Sequence, residues 1–574
     1  MTTTQAGVRR VIGARRARPR AAVLWPIALF VVALVGAIGI YHQLWADPAG
    51  RTPAMHGRTS DQLQTMWFLK WVPWQLVHGH NPFRVHAIDY PDGVSLAWNT
   101  ATPTLGLLAA PVTFFAGPAF TYSLLMTLAP AATSTTAFLW LRRHVGRPLA
   151  AAVGGLVIGF GPFASGHLLG HLHVAFATLI PLMLLFFEDL LWRRPRSQRR
   201  SALYLGLVTA AQLGISEELV VIIAIAVLVA MLAYLSIDAG ALMRAVRQAG
   251  RPVGLAIVVA LAVAAPLLIE QMVVTGLVPL RNFRWRATVV DYLWTGGNQA
   301  LTIGHRGHLN VGVSEDGVYL GIVLITVLVA GIAVSRRDRV VRCAALTLAA
   351  LVLLSVGDIR VFGIPLPWHY LSRVPGLAAT LPIRFSFATW FVVAWLIGRW
   401  LDRSAAAVRQ GPPARRAGAA LAVAAIGAAV LTIVPHTISA VPVPHVPRYL
   451  ATTHDELPPG SLVLLLPTAT PQDTSAMYLQ QAADFRFVMP GGYAYRANGT
   501  LWPRQTPLLR MAELLDDNGA VPLDEARAEL ARLPYRAIVV VDGLPSTPRL
   551  IALATQLTGR PADRAVGGVA LWLL

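Results

Sequence analysis

Long apolar segments recur through the chain, and they restrict its fold more than any other feature. Of the 574 residues, 55% are hydrophobic and only 13% are charged, whereas an ordinary soluble domain has about a quarter charged residues. A helix needs about 20 mostly apolar residues to cross a bilayer. This composition excludes a soluble enzyme and predicts an α-helical polytopic membrane protein.

Eleven segments have the length and hydropathy of membrane-spanning helices. One further apolar segment, 102–118, contains Pro111 near its middle. If it were another crossing, every later arginine cluster would lie on the wrong side, so we interpret it as a re-entrant or interfacial helix. The predicted spans are 24–44, 119–141, 149–166, 174–192, 202–214, 219–236, 253–274, 319–335, 343–357, 386–401 and 418–436.

Positive charge follows the loops between these segments. The formal net charge is +20, and Lys70 is the only lysine among 48 basic residues. Twenty-six arginines lie at the N-terminus and in alternate loops, which the positive-inside rule assigns to the cytoplasm. Topology therefore explains the charge, and no nucleic-acid partner is expected. The single cysteine, Cys343, excludes an intramolecular disulfide and a cysteine-cluster metal site.

The arginine pattern divides the chain into three parts. Residues 1–23 are predicted to form a basic cytoplasmic tail, 24–436 a transmembrane domain with a long outer loop at 45–118, and 437–574 a small extracytoplasmic α/β domain. The protein is thus expected in the plasma (inner) membrane, with a cytoplasmic N-terminus. The predicted elements of the last part are strands at 461–466 and 537–541 and amphipathic helices at 523–533 and 549–557.

Asp61 is the main candidate for chemistry in the outer loop. It follows the first predicted span by 17 residues and precedes an aromatic-rich amphipathic segment, 66–74, which we expect to lie in the membrane interface. One hypothesis is that Ser60 or Asp61 caps this helix. The other is that Asp61 is a functional carboxylate at headgroup depth, and the two roles are compatible.

Other polar residues occupy the predicted outer loops and the outer ends of the spans. Carboxylates between apolar spans are costly unless they are paired, hydrated or functional, so both an ion pair and a substrate contact remain open. Outer arginines either bind phosphate oxygens or anchor to lipid headgroups. The candidate substrate-binding residues are His80, Asn99, His171, His173, Glu217, Glu218, Arg281, Arg284, Glu315, Asp316, Arg373 and Arg384.

Six short motifs stand out in the sequence: SDQLQTMW at 60–67, HNPF at 80–83, WNT at 98–100, GFGP at 159–162, HLH at 171–173 and SEE at 216–218. Together with the loop architecture, they resemble the GT-C superfamily of membrane glycosyltransferases, and an actinobacterial branch of multi-pass proteins near it. Such enzymes have an essential acidic residue in the first outer loop, where two acidic residues are common and this chain has Asp61 followed by Gln62.

The resemblance implies a function. A polyprenyl-phosphate-linked sugar in the outer leaflet would donate its sugar, with inversion, to a hydroxyl of an envelope glycan, lipid or protein. Asp61 would be the general base, and outer arginines would stabilise the leaving phosphate. A divalent cation is a candidate cofactor, with no residue assigned to it.

Two other functions remain open. The first is a transporter or flippase of a lipid-linked glycan, for which Glu270 inside a predicted span is the main argument. The second is a non-catalytic scaffold for envelope assembly, in which Asp61 and Gln62 form a degenerate motif.

Overall fold

The computed structural model describes most of the chain, and this part is mainly helical. Six of its helical stretches are long and apolar enough to cross a membrane, and each of the eleven predicted spans overlaps a helix. The prediction of a helical membrane protein is confirmed at this level. The described residues are 19–55, 58–275, 285–295, 297–301, 315, 317–374, 377–452, 455–496, 506–513 and 523–574.

Long helices make up the body of the described part. Most of them are apolar and overlap the predicted spans, and many of their buried side chains form one large cluster. The helices are α1 (Pro19–Ile40), α2 (Ser60–Val77), α3 (Ala110–Leu141), α4 (Pro148–Phe160), α5 (Ile180–Glu188), α6 (Gln198–Leu213), α7 (Glu217–Glu270), α8 (Gly321–Val334), α9 (Arg339–Ser355), α10 (Ser386–Gln410) and α11 (Pro413–Leu431).

Two of these helices bend where the backbone leaves helical geometry. Helix α7 contains the predicted span 219–236 and most of the predicted span 253–274, and it bends between them at Asp238. Helix α3 bends at Gly117, whose φ of +82° is accessible to glycine at little cost. The predicted re-entrant segment 102–118 is therefore a short helix, Pro103–Leu108, followed by the first turns of α3 before its bend.

Short elements connect the long helices. They include two-stranded hairpins in the outer loop and near residue 360. The short helices are His42–Trp45, Leu96–Trp98, Pro162–His167, Leu172–Ala175, Asp189–Arg193, Gln271–Thr275, Val289–Leu293, Trp368–Leu371, Leu377–Ala379, Pro382–Phe385 and Arg448–Ala451, and the short strands are Arg51–Pro53, Arg84–Val85, Val94–Ser95, Arg360–Val361, Ile364–Pro365 and Ala440–Pro442.

The C-terminal part contains a five-stranded mixed sheet in the order β4-β5-β3-β1-β2. Strand β1 pairs in parallel with β2 and β3, and β5 pairs antiparallel with β3 and β4. Both predicted strands and both predicted helices of this part are present. The elements are β1 (Ser461–Leu466), α12 (Ser475–Ala482), β2 (Phe487–Val488), α13 (Pro507–Glu513), α14 (Leu523–Arg532), β3 (Tyr535–Val541), α15 (Thr547–Thr558), β4 (Arg564–Val566) and β5 (Val569–Leu573).

Helix α2 is buried between the membrane-spanning helices and the C-terminal sheet. Leu63 and Met66 pack with residues of α3 such as Tyr122. Trp67 and Trp71 pack with Phe485 and with one face of the C-terminal sheet. The expected lipid contact of this aromatic face is wrong for Trp67 and Trp71. The aromatic side chains that predicted lipid contact are covered by protein, because the C-terminal part returns onto them.

The outer loop and the C-terminal part are joined along their length. Strand Arg51–Pro53 pairs antiparallel with Ala440–Pro442, and the Trp67 indole donates a hydrogen bond to Gln480 Oε1 at 2.9 Å. Segments in such direct contact must lie on the same side of a membrane. The C-terminal part therefore helps to build any site that α2 carries.

Candidate active site

Asp61 lies in the first turn of α2, where the helix dipole stabilises a carboxylate. Its Oδ2 atom accepts a hydrogen bond from His171 Nε2 at 3.0 Å. Within the described residues no side chain caps α2, so the capping hypothesis is wrong and the carboxylate is directed to His171. The Asp61 side chain remains 29% exposed, which leaves it accessible to a ligand.

His171 is brought to Asp61 by close packing of its loop against α2. Gln62, which is buried, donates a hydrogen bond from Nε2 to the Leu169 carbonyl at 2.9 Å. A Cβ on Gly170 would lie 2.7 Å from Gln62 Cδ, so glycine permits this approach. A carboxylate at position 62 could not donate this hydrogen bond. The departure from the two-acid pattern thus has a structural role in this chain.

A chain of polar side chains continues inward from His171. His167 Nδ1 lies 3.2 Å from His171 Nδ1, and His167 Nε2 lies 3.9 Å from Glu315 Oε2. Arg384 donates to both oxygens of Glu315, at 3.1 Å from Nε and 2.5 Å from Nη2. The structure therefore gathers residues from four distant segments into one cluster.

Arg384 also neutralises a second carboxylate. Its Nη1 donates to Glu218 Oε2, and Glu218 Oε1 accepts from the Leu381 backbone N–H at 2.8 Å. Arg384 is only 8% exposed and Glu315 only 5%. The guanidinium is committed to two buried carboxylates, so the structure assigns Arg384 to an ion-pair network rather than to direct phosphate binding.

Both Asp61 and Glu315 are ionised at neutral pH, for different reasons. Burial raises the pKa of Glu315, but the charge and hydrogen bonds of Arg384 outweigh burial and lower this pKa to about 2. Burial also opposes ionisation of Asp61, yet the hydrogen bond and charge of His171, with help from Tyr493, hold its pKa below the usual value. Of these two residues, Asp61 is the one whose ionised carboxylate is also accessible.

Tyr493, from the C-terminal part, completes the surroundings of Asp61. Its hydroxyl favours the charged form of the Asp61 carboxylate and helps to lower the pKa of Asp61, and its backbone carbonyl accepts a hydrogen bond from the Gln64 amide. Asn99 fixes the same segment, since it accepts from the Tyr495 N–H at 2.7 Å and donates to the Tyr495 carbonyl at 3.0 Å. Asn99 therefore connects the outer loop to the segment that contains Tyr493 and Tyr495.

The sequence analysis did not assign Tyr493 or His167 to the site. Tyr493 follows Asp61 by 432 residues, so no local pattern connects them. One signal was present at Gly492, where a Cβ would lie 2.8 Å from Ile88 Cβ of the outer loop. A glycine that permits such close approach indicates a contact, but it does not name the partner.

The remaining candidates make other contacts. His80 is exposed beyond the C-terminal end of α2, about 25 Å along the helix from Asp61 at 1.5 Å per residue. Glu217 accepts hydrogen bonds from Gln271 at 2.7 and 2.9 Å, and the His173 ring centroid is 6.0 Å from that of His171. Arg373 contacts His369 at 2.6 Å. Arg281, Arg284 and Asp316 lie outside the described residues.

A divalent cation fits the described cluster poorly. His167, His171 and Glu315 offer ligand atoms within 4.8 Å of one another, a donor set suited to zinc or similar metals rather than to magnesium. Both Glu315 oxygens already accept from Arg384. A cation bound there would also lie beside the positive guanidinium. We therefore derive no step of the reaction through a metal.

Removal of the Tyr493 hydroxyl tests the environment of Asp61. In Tyr493→Phe the Asp61 carboxylate loses a hydroxyl that favours its charged form, so the pKa of Asp61 rises. If ionised Asp61 is the base, the acidic limb of the pH–rate profile moves to higher pH, while the rate near neutrality changes little. Tyr495→Phe is the matched control, and an unshifted limb in Tyr493→Phe would contradict this environment.

Comparisons with known proteins identify the fold. No protein-family model matches the chain, and no curated protein sequence does either. The arabinofuranosyltransferase AftD from Mycobacteria superposes with a TM-score of 0.53 at 15% identity, over 96% of this chain and 40% of AftD. The chain has the GT-C glycosyltransferase fold. It spans about two fifths of the length of AftD.

Two other solved structures with the GT-C fold are similar to the chain at lower scores. The archaeal oligosaccharyltransferase AglB from Archaeoglobus fulgidus has a TM-score of 0.48 at 13% identity, over 96% of this chain and 74% of AglB. ArnT from Cupriavidus metallidurans has a TM-score of 0.46 at 13% identity, over 96% and 98% of the two chains. At these identities the comparisons establish the fold, and the activity must be argued from the site.

Proposed function

We propose that this protein is a membrane glycosyltransferase that uses a polyprenyl-phosphate-linked sugar and acts on the outer face of the plasma membrane. The acceptor is a hydroxyl of an envelope glycan, lipid or protein. The observation that carries the proposal is Asp61, an ionised and accessible carboxylate held by His171 at the start of α2. The GT-C fold, shared with the arabinofuranosyltransferase AftD, supports it.

In the proposed reaction, Asp61 accepts the proton of the acceptor hydroxyl while the acceptor oxygen bonds to the anomeric carbon. The bond between that carbon and the phosphate oxygen breaks, and the electron pair leaves with the polyprenyl phosphate. A single displacement of this kind inverts the anomeric centre. The low pKa of Asp61 suits a late proton transfer, because the hydroxyl becomes strongly acidic once its oxygen has bonded to carbon.

His171 positions the base in this scheme. A carboxylate only accepts hydrogen bonds, so His171 Nε2 carries a proton and donates it to Asp61 Oδ2. This contact leaves the other carboxylate oxygen, Oδ1, for the acceptor. Gln62 maintains the contact through its hydrogen bond to the loop that carries His171.

Arg373 is the described arginine that we assign to the leaving phosphate. Arg373 is exposed and lies in the predicted outer loop 358–385. Its Nη2 atom contacts His369 Nε2, and His369 Nδ1 in turn contacts Asp358 at 2.9 Å. Arg373→Gln should raise the apparent KM for the donor about ten- to hundredfold, since a charge-assisted bond contributes roughly 1.5 to 3 kcal/mol. Arg527→Gln in α14 is the control. An unchanged KM would leave Arg373 as a structural residue.

The proposed topology places the N-terminus in the cytoplasm and the C-terminal part outside. The pairing of Arg51–Pro53 with Ala440–Pro442 supports an even number of crossings between them, as the eleven-span map requires. A reporter that is active only outside the cytoplasm should be active after Leu574 and silent within 193–200. The opposite result at either position would contradict the map.

Glu270 provides no support for the transporter hypothesis in this structure. It is the last residue of α7, where its carboxylate accepts from Arg84 Nε at 2.8 Å and from Asn81 Nδ2 at 3.2 Å. These partners belong to the outer loop. Glu270 therefore anchors that loop to the end of α7 and is not an unpaired charge at mid-membrane.

The proposal is tested by donor turnover in the purified protein. Release of polyprenyl phosphate from a synthetic polyprenyl-phosphate sugar should require Asp61. Turnover that is equal in wild type and Asp61→Asn would refute the assigned role, and a flippase would move the donor without cleaving it.

A further inference from the structure

An open cleft of about 530 Å³ lies between the outer loop and the C-terminal part. This volume is within the usual range for small-ligand pockets. Its walls come from the outer loop and from Arg496, with Val273 at one edge. The polar residues that line it are Arg84, His86, Asp89, Asp92, Ser95 and Arg496.

The cleft is joined to the candidate active site by one short segment of chain. The Tyr493 backbone carbonyl accepts a hydrogen bond from Gln64, which follows Asp61 by three residues in α2, and Arg496, three residues after Tyr493, lines the cleft. Three residues span at most about 10 Å even when extended. A chain-like ligand seated in the cleft could therefore place one end at Asp61.

The charges of the cleft are largely balanced within the protein. Arg496 donates to Asp89, a carboxylate that is only 3% exposed, and Arg84 donates to Glu270 at 2.8 Å. Neither guanidinium is left as an unneutralised positive charge, which a phosphate ligand would need. The balance favours a ligand without net charge.

The cleft contains both hydrogen-bond donors and hydrogen-bond acceptors. Guanidinium and imidazole N–H groups donate, and carboxylate and hydroxyl oxygens accept. In addition, Arg496 Nε is buried with no hydrogen-bond partner in the described part of the chain. Sugar hydroxyls donate and accept at the same time, so a neutral glycan matches this mixture of groups.

We propose that this cleft binds the acceptor as a neutral oligosaccharide and directs its terminal hydroxyl to Asp61. The binding itself is inferred from the cleft, whereas the acceptor role rests on the proposed function. His86 and Asp92 are both exposed at the cleft, so variants at these two positions probe it.

Calorimetric titration of the full-length protein in nanodiscs tests the proposal. The probes are a linear mannohexaose, a linear arabinohexaose and, as an anionic comparison, inorganic pyrophosphate. At least one hexasaccharide should bind, and the double variant His86→Ala, Asp92→Asn should weaken that binding at least tenfold. Asp524→Asn, whose side chain is 95% exposed in α14, is the matched control and should bind as wild type does.

Several results would overturn the proposal. They are no binding of either hexasaccharide, equal binding by wild type and the double variant, or binding of pyrophosphate alone. The Asp61→Asn variant separates this inference from the proposed function. If the Asp61→Asn variant binds a hexasaccharide and retains donor turnover, the catalytic role of Asp61 is refuted and the binding role of the cleft is supported. If hexasaccharides do not bind but turnover requires Asp61, the cleft fails and the function stands.

Discussion

Asp61→Asn should lower donor turnover by at least about a hundredfold, because general base catalysis contributes about 10² to 10⁴ in rate. The amide cannot take the proton, yet its oxygen can still accept the hydrogen bond that His171 donates to Asp61 at 3.0 Å. Folding and membrane level should therefore match wild type. The measurement is release of polyprenyl phosphate by the purified variant.

Two matched variants make this result specific. Asp524→Asn changes an exposed carboxylate in α14 and should leave turnover unchanged. If Asp61→Asn kept wild-type turnover while Glu217→Gln or Glu315→Gln abolished it, the base would lie on a later outer segment. The role assigned to Asp61 would then be wrong.

Arg384→Met should destabilise the protein by about 3 to 5 kcal/mol, which is the usual cost of removing one partner from a buried ion pair. The substitution leaves Glu315 and Glu218 without the guanidinium that both contact. We expect a lower membrane level and a lower unfolding temperature of the solubilised protein.

The triple variant Arg384→Met, Glu218→Gln, Glu315→Gln distinguishes an ion-pair network from a phosphate ligand. It removes all three charges, and neutral replacements of buried ion pairs are often tolerated. The triple variant should therefore recover most of the lost stability. A stable Arg384→Met variant with a raised donor KM would instead show that Arg384 binds the phosphate.

Hydropathy was sufficient to predict the membrane helices, because a spanning segment is a local property of about 20 residues. The continuous apolar runs at 461–466 and 537–541 similarly predicted buried strands, and these strands are buried on both faces. The loop between two predicted spans, by contrast, is helical within α7, with a bend at Asp238. Residues 237–252 contain many alanines and arginines, which favour helix.

The partners of the site residues could not be predicted from the sequence. Asp61, His171, Glu315 and Arg384 were selected by residue type and loop position, but their contacts join segments more than 60 residues apart along the chain. The aromatic face of α2 illustrates the same limit. A row of tryptophans can contact either lipid or protein. Phe485, which packs against Trp67 and Trp71, belongs to a segment that is distant in the sequence.

Donor cleavage by the wild-type protein tests the central claim most directly. The full-length protein in nanodiscs is supplied with synthetic polyprenyl-phosphate mannose or arabinose and the membrane acceptor fraction, and the product is analysed by NMR. The account predicts release of polyprenyl phosphate and transfer of the sugar to a hydroxyl with inverted anomeric configuration. Retention of configuration, or transport of either donor without cleavage, would contradict it.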